Sequence, residues 1–128
     1  MVNYIAILVA AIAGFAFGSV WYMALAKPWM AAAGITERPK PDPAVFLMTF
    51  AAQLVMAWML AGALGHLGDV SVLAGLITAA LTWVGFVVTT MIVNHRFQGK
   101  PWSLTLIDAG HWLGVMLVMG VVIGLFGV

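Results

Sequence analysis

Cysteine is missing from all 128 residues, and ionisable side chains are scarce: five Lys or Arg and four Asp or Glu, 7% of the chain, where a soluble domain averages about 25%. The first absence excludes disulfides, thiol nucleophiles and zinc sites of the cysteine type. The second leaves a formal charge of +1, too little for the phosphate neutralisation that nucleic-acid binding depends on. Catalytic signatures are lacking too: no HExxH, no G-x-S-x-G and no phosphate-cradling glycine loop. No enzyme, cofactor or metal centre is therefore expected. What the chain has instead is apolar surface, 65% of its residues, in four runs separated by short polar stretches. At about 20 residues per crossing of the hydrocarbon layer, this length suits four spans and no separate soluble domain. The expected fold is all-α: a transmembrane four-helix bundle with short connectors, whose first partner is the lipid bilayer.

The spans are placed at about residues 3–26, 44–64, 72–94 and 103–126. Ala24-Leu25-Ala26 resembles a signal-cleavage site, but no Lys or Arg precedes the first run and that run is long for a signal, so it is expected to stay as an anchor. Most of the first connector is polar. Pro28 is expected to open a short interfacial turn that Gly34 closes, with Trp29 and Met30 dipped into the membrane. Arg38-Pro-Lys-Pro-Asp-Pro43 is a stiff linker, and Asp42 is placed to cap the second span. In the third span Thr78, Thr82, Gly85 and Thr89 fall on one helical face, which is expected to point at protein.

Gly14 and Gly18 form a small-xxx-small pair, as do Gly110 with Gly114 and Gly120 with Gly124. Such pairs let helix backbones approach closely, either inside the bundle or between copies of the chain. A homo-oligomer is expected on this basis, since a four-helix bundle fills its own centre and leaves little room for a pore within one chain.

The costliest residues are Asp108 and His111, one turn apart in the last span. Counting from an interfacial Trp102, they lie about 9 and 13 Å deep. Gln53 reaches nearly the same depth from the second span, and Tyr22, Asn94, His95 and Arg96 end their spans on the same side. These seven residues are the candidate binding layer. Asp108 could accept hydrogen bonds from His111, Gln53, Tyr22 or Arg96 and merely fix helix packing. Alternatively, Asp108 and His111 could bind a small molecule or ion, or relay protons, with the Thr stripe continuing the path. Metal binding by Asp108, His111 and His95 is a weaker alternative, since ligands at i and i+3 plus one distant histidine are not a recognised set.

All five Lys and Arg fall in the first and third connectors, and none in the second. By the positive-inside rule both chain ends are outside, in a multi-pass inner-membrane layout with the polar layer in the cytoplasmic half.

The order of several short motifs resembles a bacterial family of small four-span membrane proteins known as domain of unknown function 1761. The residues that carry the likeness are Asn3-Tyr4, Gly18-Ser-Val-Trp-Tyr22, Trp29, Gly34, Thr82-Trp-Val-Gly-Phe86, Asn94-His-Arg-Phe-Gln-Gly-Lys-Pro-Trp102, Leu106-Ile-Asp-Ala-Gly-His111 and Met119-Gly120. The resemblance implies a four-helix membrane fold and no established activity. Asp108 stands where the family pattern leads one to expect Asn or a similar uncharged polar residue.

Overall fold

Each apolar run becomes a helix that starts at a capping side chain or stops at a glycine. The computed structural model describes residues 1–128, with helices α1 (Tyr4–Ala24), α2 (Ala26–Ala33), α3 (Pro43–Leu67), α4 (Val72–Thr82), α5 (Val88–Phe97) and α6 (Trp102–Phe126), and a π-helical turn, Trp83–Val87, joining α4 to α5. Asn3 accepts from the Ala6 amide at 3.0 Å, Asp42 from Ala44 at 2.9 Å and Ser71 from Ala74 at 3.1 Å, satisfying amides that a helix start leaves free. Gly34 and Gly68 follow α2 and α3 in left-handed conformation, at φ 74° and 79°. Four segments are long and apolar enough to cross a bilayer: Tyr4–Ala24, Pro43–Leu67, Val72–Phe97 and Trp102–Phe126.

Several boundaries differ from expectation. The first span ends at Ala24, because Leu25 leaves helical geometry (φ −105°, ψ 20°), and the short helix begins at Ala26 rather than at Pro28. The second and third spans each run three residues beyond the expected Leu64 and Asn94, to Leu67 and Phe97, because Gly65 stays helical and the left-handed glycines that turn the chain are Gly68 and Gly99.

α6 is the central helix. It packs against α1 on one flank and α4 on the other, while α3 closes the ring between α1 and α4, which do not touch. At the end carrying the chain termini the core is wholly apolar, with Ile7, Leu60 and Leu64 against Val115, Met116, Met119 and Ile123. Asn3 ties that end together by donating to the Phe126 carbonyl at 3.0 Å. At the other end Lys100 Nζ donates to the Ala33 carbonyl at 3.2 Å and joins the first and third connectors. All five Lys and Arg therefore gather at one end of the bundle.

Of the two uses open to the glycine pairs, packing inside the bundle and seams between copies, the structure shows the first. Gly14 faces Gln53, Val115 and Met119; Gly18 faces the His111 ring; Gly110 and Gly114 face the Trp21 and Phe17 rings. Gly120 meets the backbone of Gly75, and Gly124 that of Ser71 and Val72, so α4 and α6 touch main chain to main chain. The six glycines cannot at the same time be surface contacts.

The third span also corrects the expected Thr face. Thr78 and Thr82 are half-buried, but Gly85 and Thr89 are exposed. The π turn inserts one residue into the helical repeat, and one residue is about 100° of rotation. The positions turned inward after it are Val87, Met91 and His95, while Phe86, Thr90 and Asn94 face out. Thr90 Oγ1 donates to the carbonyls of Phe86 and Val87, both at 2.9 Å, and so engages carbonyls that the altered ladder leaves available.

Candidate functional site

The polar layer begins at the charged end of α6. Arg96 lays its guanidinium 3.7 Å over the Trp102 ring and donates through Nη2 to the Lys100 and Pro101 carbonyls (3.0 and 3.1 Å) and to Thr105 Oγ1 at 2.8 Å. Thr105 Oγ1 also lies 2.8 Å from His95 Nδ1. With Thr105 accepting from Arg96 Nη2 and donating to Nδ1, these three atoms are paired, while Arg96 Nη1 is buried without a partner. That leaves Nε2–H of His95 directed at Asp108, 3.9 Å from Oδ2. The other carboxylate oxygen accepts from the Tyr22 hydroxyl at 2.7 Å. Asp108 is thus held by Tyr22 and faced by His95.

Of the other partners expected for Asp108, Arg96 is committed to Thr105 and the turn, and His111 instead packs its ring tilted against that of Tyr22, centroids 4.7 Å apart, and edge-on to Trp112 at 4.5 Å. Gln53 is on the far side of the Tyr22–His111 contact. Asn94 is not part of the layer. The π turn leaves it exposed, beside Thr89, Thr90 and Val93 on the outer surface of α5.

Two indoles whose hydrogen bonds the sequence does not disclose complete the frame. Trp21 Nε1 donates to the Ile107 carbonyl at 3.1 Å, and Trp83 Nε1 to the Ala109 carbonyl at 2.8 Å. They clamp α6 from both flanks, immediately before and after Asp108. A tryptophan in a span reads as apolar bulk or an interface anchor, so only the packing reveals these bonds.

Beyond Tyr22 the layer opens into a chamber of about 280 Å³ between α1, α3 and α6. Gly18, Ser19 and Tyr22 of α1, Thr49 and Gln53 of α3, and His111 supply its polar surface, and Phe15, Val45, Phe46 and Trp112 its apolar surface. Gly18 and Gly14 let the two side chains in: a Cβ at Gly18, in the chamber wall, would stand 2.5 Å from His111 Nε2, and one at Gly14, behind it, 3.0 Å from Gln53 Oε1. Thr49 and Ser19 bond back to the carbonyls of Val45 and Phe15 and ask for nothing further.

Gln53 and His111 differ. They are 1% and 5% exposed, yet Gln53 Oε1 and His111 Nδ1 are buried without a hydrogen-bond partner. In an apolar surrounding each such group costs about 1–3 kcal/mol or more. Both residues line the chamber, with these two atoms set behind its surface. His95, His111 and Asp108 do not converge on a common point at metal-ligand range. Nor does the polar row cross the bundle: past His111 it meets the apolar core of Val115, Met116 and Met119. The arrangement can receive hydrogen bonds from, and give them to, an uncharged group in the chamber.

Neither the curated proteins nor the solved structures contained a match to this chain. A family model does match, over residues 5–124, which covers nearly all of the four spans and every residue of the polar layer. The chain belongs to the family described as "Protein of unknown function (DUF1761)".

Proposed function

We propose that the protein is a membrane-embedded binding protein, not an enzyme, and that its chamber holds a small uncharged molecule on Gln53 and His111. The observation that carries this reading is a cavity of about 280 Å³ lined by Gln53 and His111, residues whose buried Oε1 and Nδ1 find no partner within the chain. A layer that served only to fix helix packing would pair such groups with each other, as Tyr22 pairs with Asp108. A transmembrane conduit would need polar groups in the other half, where the core is apolar. Tyr22, Asp108, His95 and Arg96 act as the scaffold that orients His111.

The layout we propose is bacterial inner membrane, multi-pass, with both termini outside and the chamber in the cytoplasmic half, because all Lys and Arg lie at the chamber's end. One chain supplies the whole chamber. Association of several copies would use the outer helix faces, since the glycine pairs are occupied within the chain.

The test is the sign of the stability change on Gln53→Leu. Replacing an unpaired buried amide by an apolar group of similar size relieves its desolvation cost, whereas a bound ligand stabilises only the chain that binds it. The variant is expected to melt higher than the parent in lipid-free detergent, and to lose the added stability that native membrane extract gives the parent. If Gln53→Leu melts lower in detergent and both chains respond equally to the extract, Gln53 is a packing residue and the binding reading fails.

A further inference from the structure

The chain's five Lys and Arg side chains are not used alike. Arg96 and Lys100 donate to carbonyls of the connectors and of α2, which ties that end of the bundle together. Lys27 and Arg38 have no such use, and no carboxylate of the chain pairs with either, since its ion pair is that of His95 with Asp108. Both face one cavity of about 520 Å³ where α1 gives way to α2, with Met23, Ala24, Pro28 and Met30 as its apolar walls. It shares no residue with the chamber.

Local structure brings the two cations together. Gly34, at φ 74°, ends α2; its amide donates to the Ala31 carbonyl at 3.3 Å, and that of Ile35 to the Met30 carbonyl at 2.9 Å. This paired closure reverses the chain and returns Arg38 to the side of the helix that carries Lys27. Pro39 favours extended backbone at Arg38. The helix itself is fixed on the bundle, by Trp29 edge-on to Tyr22 at 5.9 Å and by the bond from Lys100 to the Ala33 carbonyl at 3.2 Å.

We propose that this cavity is a headgroup site for an anionic phospholipid, whose phosphate is held between Lys27 and Arg38. Like charges on one cavity repel each other, and a shared anion replaces that repulsion with attraction and with charge-assisted hydrogen bonds. The carboxylates of the same connector do not fill the role: neither Glu37 nor Asp42 lines the cavity, and Asp42 is spent on the Ala44 amide. The apolar walls indicate that the phosphate belongs to a lipid. Met23 is 66% exposed and Val20, one turn back on α1, 62% exposed, so the wall runs on from the cations towards the hydrocarbon, as the head and chains of a lipid do. A free phosphate, fully hydrated, gains nothing from these methionines.

Thermal melts of the full chain in an uncharged detergent, titrated with dioleoyl phosphatidylglycerol, test this. Saturable stabilisation is expected, with the apparent affinity lowered about fivefold by Lys27→Gln and likewise by Arg38→Gln. Lys40→Gln removes the same charge from the same connector but from outside the cavity, and should leave the affinity unchanged. Both cavity cations are exposed, so neither change threatens the fold.

Absence of any stabilisation by phosphatidylglycerol overturns the site, and equal stabilisation by dioleoyl phosphatidylcholine overturns its selectivity for an anion. A loss on Lys40→Gln as large as on Lys27→Gln and Arg38→Gln shows diffuse surface charge and overturns the cavity. If inorganic phosphate at the same concentrations stabilises the chain equally, and loses that effect with Lys27 or Arg38, the ligand is a soluble phosphate and the lipid is overturned.

Discussion

A carboxylate well inside an apolar helix persists only where a donor meets it, and at Asp108 that donor is Tyr22, from a helix 86 residues away in sequence. Tyr22→Phe should destabilise the bundle by about 1.5–3 kcal/mol, the range for a hydrogen bond to a charged group. In unfolding titrations of detergent-solubilised protein, Asp108→Asn combined with Tyr22→Phe should cost less than the two single changes summed, because both remove the same bond. Strict additivity would mean that the 2.7 Å contact contributes nothing. Gly18 gives a second residue-scale case. Gly18→Ala would drive a methyl group into the His111 ring, and overpacking of this kind costs about 1–3 kcal/mol. The control is Gly62→Ala, where nothing lies within 4 Å and a gain of about 0.5–1 kcal/mol is expected from helix propensity. Thermal melts of the two variants should move in opposite directions.

That Asp108 and His111 need partners was legible in their residue types. Which partner each takes was not. Tyr22, Gln53 and Arg96 all come close in depth, and depth follows from counting along a helix; the choice among them depends on the rotation of each helix about its axis, which the neighbouring packing sets. Trp21 and Trp83 escaped for a related reason, because an indole advertises its apolar body and hides its single donor.

Among the elements, the π turn at Trp83–Val87 decides most. By adding one residue it brings His95 rather than Asn94 onto Asp108 and Thr105. Deleting Val84, an exposed residue inside the turn, should remove the inserted residue, restore a regular α-helix and leave His95 in register against Thr105 and Asp108. The imidazole of His95 should then keep its bond to Thr105 and with it its NMR chemical shifts, and the apolar end of the bundle its amide protection. Loss of the His95–Thr105 bond in the deletion variant would show that the π turn does not set the register. Nothing in the spacing of Thr78, Thr82, Gly85 and Thr89 announces the insertion, because a period of three and four is what an uninterrupted helix would show. The caps were easier. Asp42, Ser71, Gly34 and Gly68 act through their own side chains or their own φ angles, so the sequence carries their roles locally.

On the scale of the whole molecule, one end of the bundle is polar and hollow and the other is apolar and filled. Four spans and the gathering of all Lys and Arg at one end could be read from hydropathy and charge alone. The glycine pairs could not be assigned, since small residues suit contacts within a chain and between chains equally; the backbone contact of Gly75 with Gly120 shows that α4 and α6 use them. The layout predicts that a reporter active only outside the cytoplasm works when fused after Val128, and that the same reporter in the Arg38–Pro43 linker is silent. It also predicts that proteoliposomes carry no proton or cation current, as the polar row stops at the core of Val115, Met116 and Met119. A current abolished by Asp108→Asn would restore the transport alternative.

The central claim is that Gln53 and His111 present unfilled hydrogen-bonding groups to a ligand chamber, and density in that chamber tests it most directly. A high-resolution structure of the protein purified in its native lipids should show non-protein density inside the space between α1, α3 and α6, with atoms at about 2.7–3.2 Å from the Gln53 amide and from the His111 imidazole. A closed chamber in which Gln53 and His111 bond to each other or to neighbouring side chains, with no room left between them, would contradict it.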